Sequence, residues 1–332
     1  AEKALARAAS ALSAESTSQA EFDRLRRDEL KREVAGLKKA LEAEVDLSAA
    51  LGRLFAVPAK RRGGSEGPEA TFQAIVRGFG LPECFDRGLV NEKEFRRHLG
   101  RCLRGGLLRW PRIFGSALPT MLEVCSGTGD WVVAQARADA GRSNWVASEL
   151  RYDRVWSILT KAVFANVDNL ALIAGDAATA LKSWVAKGSI AKVCVNFPEP
   201  PQTSRNATCD DAESELHLLT PDFFMDVHGA LCDGGVLTIY SDNQEYTRSL
   251  TRTIGTLRGP DAVRLFEASG DVDAEHLEDA EELCGLLICQ GSPGEAEGHV
   301  AKASSQFDRF FRHGRHTDRF YVSVVKVSSS GE

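Results

Sequence analysis

A glycine-containing turn follows the short apolar run Met121–Cys125 and is the first group of residues that can do chemistry. The turn reads Ser126-Gly-Thr-Gly129, and a helical pattern of apolar residues starts directly after it. Glycines at positions 127 and 129 let the backbone approach a ligand closely, and the N-terminus of a following helix points free N–H groups toward that ligand. By itself, such a turn is weak evidence, because it also occurs as a plain connection between a strand and a helix.

Two acidic residues stand at the ends of the next two predicted strands. Glu149 ends the second strand, about 20 residues after the turn, where an acidic side chain can bind both hydroxyls of a ribose. Asp176, within Gly175-Asp-Ala177, ends the third strand, where a carboxylate can accept a hydrogen bond from an adenine amino group. The alternative for each acid alone is a helix N-cap or a solvated loop residue.

The order of these three features indicates a single ligand site. The carboxyl ends of parallel strands meet at one edge of a sheet, and ligands of α/β proteins bind in the crevice outside that edge. Together the turn and the two acids therefore predict a nucleoside-containing ligand. Cys125 stands where a dinucleotide fingerprint has its first glycine, so the pattern favours S-adenosylmethionine over NAD.

The fourth predicted strand ends in Asn196-Phe-Pro-Glu-Pro200. Two prolines flanking an acid make a stiff loop, which would fix the carboxylate of Glu199 at the mouth of the site. The alternative is a rigid exit turn with no ligand-binding role.

The elements that position these residues follow from the pattern of apolar runs after residue 120. Short apolar runs alternate with helical stretches, which is typical of βαβ units and a parallel sheet. The predicted strands are 120–125, 144–149, 170–174, 190–196, 234–241 and 320–327. The predicted helices are 129–140, 151–165, 177–187, 221–231 and 243–257.

The rest of the chain divides by composition. We expect a helical extension over 1–57, a linker over 58–69 and a helical, basic segment over 70–117. The main domain is expected over 118–330, with an acidic, partly mobile insertion at 271–299.

Composition excludes some classes of protein and leaves others open. The net charge of −6 is unlike a general nucleic-acid binder, although the stretch from Lys60 to Arg112 holds 12 Lys/Arg against 6 Asp/Glu. The 8 cysteines contain no CxxC pair, which indicates reduced thiols in an intracellular compartment that the sequence does not specify, and no metal site. No apolar run is long enough for a membrane span.

Read in order, these motifs resemble the tRNA (guanine-N7)-methyltransferase family. That family has a Leu-Glu-Ile-Gly-x-Gly-x-Gly turn, a Gly-Asp-Ala third-strand end and an Asn-Phe-Pro-Asp-Pro loop. This chain has Leu122-Glu-Val-Cys-Ser-Gly-Thr-Gly129, Gly175-Asp-Ala177 and Asn196-Phe-Pro-Glu-Pro200 at the matching places. The family's Thr-x-[Phe/Tyr]-Glu resembles Ser305-Gln-Phe-Asp308, and its Leu-Thr-x-x-x-Phe resembles Leu219-Thr-Pro-Asp-Phe-Phe224.

The resemblance implies a Rossmann-like class I methyltransferase fold, with a mostly parallel twisted sheet and helices on both faces. It implies S-adenosylmethionine as cofactor, tRNA or a related RNA as substrate and guanine N7 as the methylated atom. Residues implied for the guanine edge are Glu199 and Asp308. Residues expected to bind the cofactor are Glu123, Ser126, Gly127, Gly129, Glu149, Asp176, Ala177 and Asn196. Residues expected to bind the substrate are Pro198, Asp242 and Ser305.

One departure from the family keeps other functions open. Where the family has basic residues after the Pro-Asp-Pro loop, 201–215 carries four acids against one arginine, which would repel phosphates. The alternatives are a catalytically weakened or inactive subunit of a larger assembly, with a protein partner on the N-terminal helices, or an enzyme with a protein or small-molecule substrate. If RNA is bound, the basic helix with Arg96, Arg97, Arg101 and Arg104 can supply phosphate contacts; a solvated face or a partner surface are its alternatives.

Overall fold

The computed structural model describes residues 47–57, 67–201, 217–259, 261–270, 272, 274–277, 279–295, 297–301 and 317–327. All of them belong to the second of two compact units, Leu47–Glu332. The helical extension predicted for residues before Leu47 lies outside the described residues. So do the predicted site residues Ser305 and Asp308.

Strands and helices alternate through most of the described chain. The strands are β1 Leu54–Ala56, β2 Leu103–Arg104, β3 Leu107–Leu108, β4 Thr120–Val124, β5 Asn144–Glu149, β6 Leu170–Ala174, β7 Ile190–Asn196, β8 Leu231–Ser241, β9 Phe266–Ala268, β10 Glu281–Leu283, β11 Leu286–Gln290 and β12 Phe320–Lys326. The helices are α1 Leu47–Leu51, α2 Pro68–Phe79, α3 Pro82–Asp86, α4 Glu92–Cys102, α5 Trp110–Phe114, α6 Asp130–Ala138, α7 Tyr152–Phe164, α8 Ala177–Ser183, α9 Pro221–Ala230, α10 Gln244–Thr256 and α11 Ala274–Leu277.

Ten of the described strands form one sheet in the order β1-β6-β5-β4-β7-β8-β12-β11-β10, with β9 paired to β12. The strands from β1 to β8 along this order are parallel, whereas β12, β11 and β10 are antiparallel to their neighbours. The chain order reverses at the central strand β4, so right-handed crossovers place helices on both faces. This is the Rossmann-like class I methyltransferase fold that the sequence predicted.

The parallel strands form because they are apolar enough to be covered on both faces. Every residue of β5 and β6 is buried, and in β7 the residues from Lys192 to Val195 are buried as well. Polar side chains mark where the helices begin. Asp176, Thr220 and Asn243 each accept a hydrogen bond from a backbone N–H in the first turn of α8, α9 and α10. The predicted strands and helices of this part are confirmed to within a few residues.

The predicted boundaries before residue 118 need correction. β1 pairs with β6 in parallel, so the segment expected to be a helical extension ends as an outer strand of the sheet. The predicted linker also ends early, because Pro68 already begins α2. The basic segment 70–117 contains the β2–β3 hairpin as well as helices. A strand of three residues is too short to show a period in the sequence, which is why β1 escaped prediction.

The acidic insertion predicted at 271–299 also needs correction. Its residues include β10 and β11, which pair with each other and extend the sheet beyond β12. Leu286, Ile288 and Cys289 are buried in this part. The acidic and glycine-rich flanks hid a short apolar strand that belongs to the core.

The described residues contain neither a candidate membrane span nor a candidate metal cluster. None of the helices among the described ranges is long and apolar enough to cross a membrane. That part of the chain also brings together no group of three or more His, Cys, Asp or Glu side chains that could hold a metal ion.

Candidate active site at the carboxyl edge of the sheet

The turn between β4 and α6 is built for close approach of a ligand. Gly127 and Gly129 have φ of 57° and 79°, and Cys125 adopts φ 60° although it has a side chain. A Cβ at Gly129 would lie 2.5 Å from Ile158 Cγ1, so a glycine is required there for α6 and α7 to pack. A Cβ at Gly127 would meet no atom within 4 Å, which leaves open space above the backbone.

Glu149, at the end of β5, holds this turn in place. Its Oε2 accepts a hydrogen bond from Gly127 N at 2.9 Å, and its Oε1 accepts one from Arg151 N at 3.0 Å. Arg154 Nη1 lies 3.9 Å from the same carboxylate. The side chain is buried, so these donors are what makes its negative charge tolerable. Contact with a ribose stays a prediction, which the position beside Gly127 supports.

Asp176, at the end of β6, is the N-cap of α8. Its Oδ2 accepts hydrogen bonds from Thr179 N at 2.8 Å and from Thr179 Oγ1 at 2.5 Å. The capping alternative considered for this residue is therefore present. Within the described residues Oδ1 forms no hydrogen bond, so the carboxylate retains an acceptor, and its role toward adenine stays a prediction. Ala177, the first residue of α8, is buried beside it.

Glu123 lies beneath the turn, buried and only partly satisfied. Its Oε1 accepts a hydrogen bond from Asn196 Nδ2 at 2.8 Å, and Ser126 Oγ donates to its backbone carbonyl at 3.2 Å. Its Oε2 has no partner among the described residues. Burial, opposed by the Asn196 hydrogen bond, raises the pKa of Glu123 to about 7. A buried acid with an unpartnered oxygen is suited to a ligand that brings a positive charge.

A histidine that the sequence analysis did not single out completes this group. Asn196 Oδ1 lies 3.3 Å from Nε2 of His299, which follows β11 and is buried. The imidazole also packs on Trp131, with ring centroids 4.8 Å apart. Gln135 holds the surrounding backbone, donating to Gly298 O at 3.2 Å and accepting from Ala301 N at 2.9 Å.

The hydrogen bonds determine the tautomer of His299. Asn196 donates to Glu123 through Nδ2, so its Oδ1 must accept, and His299 must donate from Nε2. Burial and the charge of Lys192 lower the pKa of His299 well below its ordinary value, so the imidazole is neutral. The group Glu123–Asn196–His299 therefore connects the cofactor turn to the segment that follows β11. No local motif signals it, because Asn196 and His299 are 103 positions apart.

The loop after β7 brings the predicted guanine-binding acid to the same edge. Phe197 adopts φ 50°, a conformation that residues with side chains rarely adopt, and its N donates to Tyr240 O at 2.7 Å. Its ring packs on Tyr240 with centroids 4.6 Å apart. Pro198 is half-buried after it, and Glu199 is exposed.

Strand pairing brings the loop that carries Glu199 beside the glycine turn. Val124, at the end of β4, pairs with Val195 of β7, so the turn and the Asn196–Pro200 loop leave neighbouring parallel strands at the same edge of the sheet. Glu199 therefore lies on the loop next to the turn that contains the predicted cofactor residues, and its contact with guanine stays a prediction.

The end of β8 forms the far side of the site. Asp242 is half-buried there, directly before the N-cap residue Asn243. On α10, Tyr246 is buried, and its hydroxyl is hydrogen-bonded to His217 Nε2. Burial and the neighbouring Cys125 raise the pKa of Tyr246. Tyr246 and His217 are residues that the sequence analysis missed, since neither belongs to a recognisable motif.

Comparisons with known proteins identify the family. The profile of a family described as "Putative methyltransferase" matches residues 117–264. The tRNA (guanine-N(7)-)-methyltransferase of Chlamydia caviae is 36% identical over 174 residues, covering 51% of this chain and 74% of the relative. That of Chlamydia abortus is 32% identical over 173 residues, with the same coverage of both chains. A solved antibiotic-related methyltransferase is 12% identical, with a TM-score of 0.41 over 66% of this chain and 94% of that chain.

The fold and the site define an S-adenosylmethionine-dependent methyltransferase of class I. Within that class, the chain belongs to the tRNA (guanine-N7)-methyltransferase family, as the Asn196–Pro200 loop predicted. S-adenosylmethionine is accordingly its cofactor.

Proposed function

We propose that this chain transfers a methyl group from S-adenosylmethionine to N7 of a guanine in tRNA. The observation that carries the proposal is the position of Glu199. It is exposed and held on a loop fixed by Phe197, and that loop leaves β7 beside the glycine turn after β4. A guanine bound by Glu199 would therefore lie beside the cofactor.

The residues at the carboxyl edge fit the cofactor group by group. The buried carboxylate of Glu149 suits a ribose diol, and the open space at Gly127 admits a ligand against the backbone. The unpartnered Oε2 of Glu123 suits the ammonium group of the methionine part. Asp176 would accept from the adenine amino group, with Ser126, Gly129, Ala177 and Asn196 forming the surrounding wall.

Guanine N7 is already nucleophilic, so the reaction needs positioning more than acid–base chemistry. S-adenosylmethionine supplies an electrophilic methyl on its sulfonium. Glu199, together with Asp308, would accept hydrogen bonds from the N1–H and N2–H groups of the guanine and so fix the direction of N7. Pro198, Asp242 and Ser305 would line the substrate side.

The same carboxylates also suit the movement of charge. A positive charge leaves the sulfur and appears on the guanine ring as the methyl moves, so the net charge of the reacting pair is constant. Glu123 in β4, Glu149 at the end of β5 and Glu199 after β7 would surround the reacting groups with carboxylates, which favour a cation both before and after transfer. This arrangement supports an active enzyme more than the inactive-subunit alternative.

The test is methyl transfer by the purified full chain. tRNA transcripts without modified bases are incubated with methyl-labelled S-adenosylmethionine, and the RNA is digested to nucleosides. The proposal predicts label in 7-methylguanosine, with Glu149→Ala as the inactive control. Label in another nucleoside, or none in any tRNA while the protein binds the cofactor, would contradict it.

A further inference from the structure

Four exposed arginines lie in the part of the chain before the family match at 117–264. We call Arg97, Arg101, Arg104 and Arg112 the arginine surface. They lie on α4, β2 and α5, which follow one another in the chain, and α4 contacts both β2 and α5. The sequence has no acidic residue from position 97 to position 122, although the whole protein carries a net charge of −6, so positive charge is concentrated in this stretch.

Toward the described part of the chain the four guanidinium groups are unpaired, in contrast with their neighbour Arg96 on α4. Arg96 is ion-paired with Glu69 and with Glu92, and it stacks on the ring of Phe72 at 3.6 Å. Arg96 is therefore held by acids of its own chain, and its contact with phosphate stays a prediction. The side chains of the arginine surface form no ion pair or hydrogen bond with any described residue. Some arginines elsewhere are paired with acids, as Arg151 is with Asp153 and Arg248 with Glu281.

The backbone that carries the arginine surface is fixed to the main sheet. Leu108 N donates to Trp184 O at 2.8 Å, and Trp110 Nε1 donates to Ser189 Oγ at 3.1 Å. Leu103 and Leu108 are buried beneath the β2–β3 hairpin. Arg97 and Arg101 are four positions apart, so they share one face of α4. A rigid platform loses little entropy when it binds a partner.

The arginine surface lies far from the reacting atoms. Ser189 directly precedes β7, whose opposite end is Asn196 in the active site. Seven residues of strand span about 20 Å, so the two regions lie at opposite edges of the sheet. A single ligand that contacts both regions must therefore span about 20 Å and be negatively charged at the arginine surface.

We infer that the arginine surface binds the phosphodiester backbone of the RNA substrate, at a distance from the methylated guanine. This inference rests on the function proposed above. Guanidinium groups bind phosphate oxygens in pairs of hydrogen bonds, and unpaired exposed arginines can do so without losing an internal partner. A protein partner is less suited, because Leu107 is the one large apolar side chain that the described hairpin exposes.

The acidic segment 201–215 is the reason why we expect RNA binding to need a second contact. It follows the Asn196–Pro200 loop directly and carries four acids. Phosphates near it are repelled, so the affinity for RNA must come from cations elsewhere.

The test compares the full-length wild type with Arg101→Gln/Arg104→Gln and with a matched control. Arg137→Gln/Arg252→Gln removes the same charge from two exposed arginines outside the surface. Binding of an unmodified tRNA transcript is measured by fluorescence anisotropy at several KCl concentrations, and binding of the cofactor by calorimetry. We expect about a tenfold loss of tRNA affinity at 0.1 M KCl and a salt slope shallower by about 1.5 for the surface variant alone. Cofactor affinity should not change.

Equal loss in both variants, or none in the surface variant, would overturn the inference. So would polyglutamate competing with wild-type binding as well as RNA does, since that would indicate an acidic protein as partner. Methyl transfer assayed in parallel separates the two proposals. If tRNA is methylated but the surface variant binds it normally, only the inference fails. If no RNA is methylated but the surface variant binds tRNA more weakly, only the proposed function fails.

Discussion

The cofactor half and the substrate half of the carboxyl edge are built in different ways. The cofactor half uses the turn after β4 and the ends of β5 and β6, and Glu149 is only 22 positions from its partner Gly127. The substrate half uses the ends of β7 and β8 with the segment after β11. Its bonds join Asn196 to His299 across 103 positions and Ala301 to Gln135 across 166 positions.

Because of this difference, the residues of the cofactor half are easier to predict from the sequence than those of the substrate half. A local strand–turn–helix unit leaves a compact motif, whereas a long-range contact leaves none. The group Glu123–Asn196–His299 is where the two halves meet.

The largest effect is expected in the cofactor half. Glu149→Ala removes the acceptor of two backbone N–H groups together with the predicted ribose contact. Charged hydrogen bonds contribute about 1.5–3 kcal/mol each, so we expect S-adenosylmethionine affinity to fall about 100-fold by calorimetry. Asp168→Ala, which removes an exposed carboxylate elsewhere, is the control. A loss below threefold would show that Glu149 does not bind the cofactor.

In the substrate half, Glu199→Gln should impair methyl transfer without affecting cofactor binding. The neutral amide is a weaker acceptor for the guanine N–H groups. A loss of about 2 kcal/mol corresponds to kcat/KM for tRNA about 30-fold lower. Asp222→Asn, an exposed acid on α9, should leave kcat/KM unchanged. Weaker cofactor binding by Glu199→Gln would show that this acid belongs to the cofactor half and not to the substrate half.

The residue that joins the halves should give an intermediate effect. His299→Phe keeps an aromatic ring against Trp131 but removes the donor to Asn196. We expect cofactor affinity to fall by up to about tenfold, the cost of about one hydrogen bond between neutral groups. His299→Gln retains an N–H donor and should restore most of the affinity.

Thermal unfolding of the two His299 variants provides the control. A purely structural role would lower both Tm and affinity in each variant, without rescue by Gln. Normal cofactor affinity of His299→Phe would show that the segment after β11 does not act on the cofactor half.

The smallest effect is a pH dependence that comes from Glu123. Its pKa of about 7 lies above the unfolded value, so its contribution to stability is full at low pH and is lost as pH rises through 7. Cofactor binding has the opposite sign, because a cationic ligand favours the ionised acid. Affinity should therefore rise about fourfold from pH 6.5 to 8. In Glu123→Gln the affinity should be flat over this range, and an unchanged pH dependence would assign it to another group.

Sequence reasoning was most successful where residues act through neighbours in the chain. The spacing of apolar residues predicts the central strands and the helices that follow them. The motifs at the strand ends predict that Glu149 and Glu199 lie at one edge of the sheet. β1 and β11 were missed because a short strand, or one flanked by acidic and glycine-rich residues, has little pattern of its own. His299, Tyr246 and the pairing of Arg96 were missed because their roles depend on partners brought together only by the fold.

Guanine N7 as the methyl acceptor is tested most directly by the exchange of a single atom in the substrate. In a tRNA transcript made with 7-deazaguanosine, carbon replaces the N7 nucleophile while the N1–H and N2–H groups remain. If guanine N7 is the methylated atom, the wild-type protein should methylate the guanosine transcript. It should bind the 7-deaza transcript with similar affinity but transfer no methyl group to it. Equal methyl transfer to both transcripts would contradict methylation at guanine N7, because the methyl group would then be transferred to another atom.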